Sequence, residues 1–98
     1  MVQEVKEENF KNEILESGLP AFVCFYNSWG NSHSCVYPML KNLAEQFRGK
    51  CKFYLLNIVK SRKLVHKYDV MRTPTLMFFR KGKLLLKLSL TQQHQIVD

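Results

Sequence analysis

The unbroken apolar run Ala21-Phe22-Val23-Cys24-Phe25-Tyr26 constrains this chain more than any other feature. Six residues rich in aromatic and β-branched side chains, set between Pro20 and Asn27, read as a central strand buried on both faces. A strand of that kind needs helices packed on each side of its sheet. Downstream, Val36, Leu40, Leu43 and Phe47 recur at i, i+4, i+7 and i+11. That spacing predicts an amphipathic helix ending at Gly49, bent by the Pro38 inside it. Residues 51–59 form a second apolar strand, so the centre of the chain reads as strand, helix, strand.

The flanks extend this order. Residues 2–5 alternate as a short strand, and Phe10, Ile14 and Leu15 lie at helical spacing in a helix that ends near Gly18. Residues 61–68 read as a short helix with Ser61 as its N-cap. Thr73-Pro74-Thr75 interrupts the chain. Residues 75–79, the turn Lys81-Gly82 and residues 83–90 then form an antiparallel hairpin. Thr91 caps a last helix that has only begun at Asp98. The expected architecture is α/β, a mixed sheet flanked by helices on both faces. At 98 residues it forms a single domain, because so short a chain cannot close two cores.

Composition excludes other classes. With 46% hydrophobic and 23% charged residues the chain is too apolar for disorder, and its apolar runs fall short of the ~20 residues of a membrane span. The acidic start, Met1 to Glu8, lacks the basic and apolar regions of a secretory signal. The cysteines, Cys24, Cys35 and Cys51, are odd in number and contain no Cys-x-x-Cys pair. Neither a disulfide scaffold nor a zinc site is expected. Reduced thiols and an intracellular, cytoplasmic location follow, with no metal, no cofactor and no membrane partner.

The net charge of +7 is unevenly spread. Residues 1–47 hold three basic and six acidic side chains, whereas residues 48–98 hold twelve basic and two acidic. Lys60, Arg62, Lys63, His66 and Lys67 cluster around the short helix, and Arg80, Lys81 and Lys83 around the hairpin turn. Such a surface suits an acidic partner or nucleic acid. Without arginine-aromatic interleaving, nucleic acid is the lesser expectation.

The landmarks together resemble the thioredoxin fold over nearly the whole chain. Trp29 is followed nine residues on by Pro38 and then by Leu43-Ala44. Thr73-Pro74-Thr75 before Leu76-Met77-Phe78-Phe79 looks like the family's cis-proline loop and following strand. With Trp29 and Pro38 fixed, the Cys-Gly-Pro-Cys positions of the family fall on Gly30, Asn31, Ser32 and His33. The family's buried aspartate falls on Cys24 and its accompanying lysine on Leu55. The resemblance also implies a final helix that runs past Asp98, so the domain reads as 1–98 with that helix truncated. Apolar sheet near residues 84–90 would then be exposed, which favours self-association.

Disulfide exchange takes one thiolate to attack and a second thiol to resolve. On this ground the expectation is a redox-inactive member with no dithiol-disulfide oxidoreductase activity, a non-enzymatic binding or structural module. Its groove would be built from Trp29, Gly30, Asn31, Ser32, His33, Thr73 and Pro74 and would hold a protein or peptide segment by main-chain hydrogen bonds. Two alternatives stand beside it. Cys35, in the first turns of the main helix, is a weak catalytic candidate for a single-cysteine redox protein or sensor, although His33 two residues away faces elsewhere. The basic C-terminal half suits an RNA-associated assembly subunit. Cys24 should be an inert core thiol, and Cys51 is partly exposed without a catalytic role.

Overall fold

In the computed structural model, residues 2–29 and 32–90 are described; the side chains of residues 32–35 lie outside the description. Five strands form one mixed sheet: β1 (Val2–Glu4), β2 (Ala21–Tyr26), β3 (Lys52–Asn57), β4 (Thr75–Arg80) and β5 (Lys83–Ser89), in the order β1-β3-β2-β4-β5. β3 runs parallel to both β1 and β2, whereas β4 runs antiparallel to β2 and β5. The central position of β2 accounts for its apolar sequence, since both of its faces are covered.

On one face lie α1 (Glu7–Phe10), which continues as a π-helical turn over Lys11–Leu15, and α3 (Arg62–Lys67). Their Phe10 and Ile14 pack with Val5, Val23, Phe25, Leu56, Met77 and Phe79. The other face carries α2 (Ser32–Gln46), whose Val36, Leu40 and Ala44 cover Cys24, Tyr26, Phe53, Leu55 and Leu76. Alternation along β2 explains the split. Ala21, Val23 and Phe25 serve the first layer, and Cys24 and Tyr26 the second.

Several local expectations need correction. The α2 stripe runs through Ala44 rather than Phe47, which falls beyond the end of the helix and is exposed. β3 stops at Asn57, whose Oδ1 accepts from the Val59 amide at 2.9 Å and opens a 3-10 turn over Ile58–Lys60. Ser61 occupies the cap position of α3 without a capping hydrogen bond from its side chain. The Glu7 carboxylate takes that role, with Oε2 accepting from the amides of Lys63 at 2.6 Å and Leu64 at 3.1 Å. An anionic cap of this kind contributes about 1 kcal/mol and ties α1 to α3.

The hairpin turn has Lys81 at φ 52° and Gly82 at φ 77°, two left-handed residues in succession as a tight two-residue turn requires. A Cβ on Gly82 would also stand 3.2 Å from the Leu15 carbonyl oxygen, so glycine lets the turn close on the end of the first helix. A bulge between Phe78 and Phe79 sets Phe78 opposite Leu86 and Phe79 opposite Leu84. The helix expected from Thr91 lies outside the described residues. No helix among the described residues is long and apolar enough to cross a membrane.

Candidate functional site

β2 ends at Tyr26 on the same side of the sheet where β4 begins at Thr75, because Phe25 pairs antiparallel with Thr75. The loop after β2 and the loop before β4 are thereby brought together. In the first, the Asn27 Oδ1 accepts from the Trp29 amide at 2.9 Å, a local turn that holds the indole outward. Trp29 is 84% exposed. In the second, the Thr73–Pro74 peptide bond is cis. Thr75 Oγ1 donates to the Arg72 carbonyl at 2.5 Å, and the Pro74 carbonyl accepts from the Leu90 amide at 2.9 Å. Pro74 is buried and Thr73 half-buried.

Met71, in the loop before β4, is 83% exposed. Two large apolar side chains, Trp29 and Met71, are thus held out to solvent on adjoining loops. Sequence reasoning passed over Met71, although a methionine among Asp69, Arg72 and a proline stands apart from any helical or strand period. Trp29, Thr73 and Pro74 lie at this end of the sheet. Gly30 and Asn31, and the side chains of Ser32, His33 and Cys35, lie outside the described residues; Cys35 is placed only as a residue of the first turn of α2.

The other two thiols are described. Cys24 is fully buried between its register partners Leu55 and Leu76, and burial pushes its thiol up to about 12. It stays protonated and inert at neutral pH. Cys51 is half-buried immediately before β3. Six strand residues, roughly 20 Å of rise, separate it from the Asn57 end of that strand.

Beside the loops, at the ends of β1, β3 and β2, a cavity of about 430 Å³ is lined by Glu4, Lys6, Tyr26, Asn57 and Lys60. The Tyr26 hydroxyl donates to the Glu4 carboxylate. The Tyr54 hydroxyl likewise donates to Glu13 at 2.9 Å. Burial, with the neighbouring carboxylate second, pushes both phenols up to about 12. The folded state therefore holds these protons where the unfolded chain has released them, and stability falls as pH rises from about 10 towards 12. Absorbance titration of the phenolates should show Tyr26 and Tyr54 ionising together with unfolding. Ionisation of both near pH 10 in the folded chain would contradict the burial argument.

The Thioredoxin family profile matches residues 1–98. The chain belongs to the thioredoxin family. It is 31% identical to a thioredoxin of Rickettsia prowazekii and 32% identical to one of Rickettsia typhi, in each case over 100% of this chain and 94% of the relative. It is 31% identical to thioredoxin 1 of a Nostoc species over 82% of this chain and 75% of that protein.

These relatives carry the name of a redox protein, and they overturn the expectation of a redox-inactive binding module without oxidoreductase activity. The single-cysteine and RNA-associated alternatives gain no support from them. The expectation rested on four residues after Trp29, whereas the resemblance to these relatives extends over the whole chain. A missing second thiol removes internal resolution of a mixed disulfide, but it does not remove attack by a thiolate on a disulfide.

Proposed function

We propose that this chain takes part in thiol–disulfide exchange with disulfides of other proteins, the chemistry for which its thioredoxin relatives are named. The observation that carries the reading is the match to the family along the whole chain, residues 1–98. The exposed Trp29 and Met71 beside the Thr73-Pro74 loop support it as a surface for an apolar stretch next to the substrate disulfide.

The exchange runs in two balanced steps. A thiolate of this chain attacks one sulfur of the substrate disulfide, a mixed disulfide forms, and the other substrate sulfur leaves as a thiolate that takes up a proton. A second thiol then attacks the mixed disulfide and releases the reduced substrate or this chain. Cys24, Cys35 and Cys51 contain no pair two residues apart, and Gly30-Asn31-Ser32-His33 stands where counting from Trp29 puts the family's motif. In the assay glutathione supplies the second thiol and then a third, which frees this chain as oxidised glutathione forms. Two thiols are oxidised for each disulfide reduced.

The test is reduction of insulin disulfides by this chain with glutathione as the source of electrons, compared with glutathione alone. The chain should accelerate reduction at least tenfold. Cys24→Ala should leave the rate unchanged, because its thiol is protonated and sealed from substrate. Loss of rate in Cys35→Ser or in Cys51→Ser identifies the attacking thiol. No acceleration over glutathione, with a folded chain, overturns the proposal.

A further inference from the structure

β5 is the last strand of the sheet, and every residue of it is exposed. Its outer edge has no partner strand among the described residues. A free edge of seven residues presents unpaired amides and carbonyls to any extended chain that approaches. Four leucines on it, Leu84, Leu85, Leu86 and Leu88, are from 36% to 55% exposed. They lie on both faces of the sheet. Leu86 and Leu88 pair with Phe78 and Leu76 on the α2 face, whereas Leu84 pairs with Phe79 on the face of α1 and α3.

The Phe78 to Leu86 pair continues an apolar row across the sheet, because Phe78 also pairs with Phe22, and Phe22 with Phe53. The Phe22 ring stacks on Phe53 at 5.1 Å and meets Phe78 at 4.5 Å. The row runs outward to Leu86 and ends at the open edge. A strand laid beside β5 would extend it by one more side chain.

Charge states what kind of strand that is. No aspartate or glutamate occurs from Val70 to Leu90, while Arg80, Lys81, Lys83 and Lys87 surround the edge. Lys87 is engaged, since its Nζ donates to the carbonyls of Tyr68 at 2.9 Å and Asp69 at 2.7 Å at the end of α3. Among the described residues, Arg80, Lys81 and Lys83 form no salt bridge. Two copies of this chain meeting edge to edge would bring these cations together, so the edge suits a partner of opposite charge.

We infer that the outer edge of β5 receives an extended segment of another protein, apolar where it runs beside Leu86 and Leu88 and acidic where it passes the hairpin turn, added to the sheet as a sixth strand. Main-chain hydrogen bonds hold it, the leucines of β5 meet its apolar side chains, and Arg80, Lys81 and Lys83 meet its carboxylates. This surface is separate from the Trp29 and Met71 loops, so thiol exchange neither requires it nor is required by it.

The probe is a blocked nine-residue peptide with five residues of valine and threonine followed by four glutamates, titrated into the full isotope-labelled chain and followed by amide shifts and hydrogen exchange. Shifts should concentrate at residues 83–89, with slowed exchange on the outer edge. Lys81→Glu/Lys83→Glu should weaken binding at least tenfold without altering insulin reduction, and raising salt should weaken binding similarly. A matched peptide with lysine for glutamate should not bind. Shifts centred elsewhere, equal binding of the lysine peptide, or β5 amides already protected in the free chain by a second copy or by residues 91–98 would each overturn the inference.

Discussion

Phe79→Ala should cost about 3 to 5 kcal/mol of stability, among the largest losses that any single truncation in this chain produces. The side chain is 1% exposed and meets two rings edge to face, Phe10 at 5.5 Å and Tyr68 at 5.5 Å, while Phe10 and Tyr68 approach each other at 5.8 Å. One ring from β4 thus fastens the first helix and the end of α3 to the sheet. Its removal leaves a cavity between three elements that cannot all close at once. With a urea dependence of ~1 to 3 kcal/mol/M, the unfolding midpoint should fall by about 2 M. Phe78→Ala is the matched comparison, because the neighbouring ring is half-buried on the other face and touches Phe22. Equal losses for the two variants would show that the aromatic cluster is not the fastening.

The strands and the main helix were legible in the sequence because burial writes directly into composition. Ala21–Tyr26 could be nothing but a doubly covered strand, and the structure sets it at the centre of the sheet. The details that escaped depend on long-range contacts. Glu7 caps a helix that begins 55 residues later, and no local pattern reveals this, whereas Ser61 offers a local signal that the structure leaves unused. Phe47 matched the helical period, but the chain leaves the helix at Gln46 before that residue can turn inward. A period says which face a residue would share, not where the helix ends.

At the end of the sheet where β2 stops and β4 begins, Trp29 and Thr73-Pro74 were legible as landmarks because their separations are fixed by the sheet between them. Met71 left only the weak signal of an apolar residue outside any helical or strand period, because its exposure is set by the fold and not by local sequence. The chemistry was not legible in the four residues after Trp29, because the family resemblance is distributed over the whole chain and its whole-chain relatives are named thioredoxin.

Cys24→Asp should make stability strongly pH-dependent, and the variant probes how dry the sheet is just below the Trp29 and Thr73-Pro74 loops. Cys24 is fully buried, and the residues beside it on the neighbouring strands are Leu55 and Leu76, both buried. Burial already pushes the thiol up to about 12. An aspartate of similar size there meets the same desolvation, which raises a fully buried carboxyl by about 3 to 5 pH units. The folded pKa then lies above the unfolded value of ~3.9, so the folded chain binds the extra proton. Below about pH 4 both states are protonated and the ionisation costs nothing. As pH rises, stability falls by about 1.4 kcal/mol per unit until the folded pKa is passed, a loss of roughly 4 kcal/mol by pH 7. Cys24→Asn should lose stability to a similar degree at both pH values, since it cannot ionise. Leu55→Lys in the Cys24→Asp background should recover part of the loss, because the two positions are register partners on adjacent strands, where the family resemblance places a lysine and an aspartate. Urea midpoints of Cys24→Asp that agree at pH 4 and pH 7 would mean that water or a counter-charge reaches this strand, and the inertness of Cys24 in thiol exchange would then have to be given up.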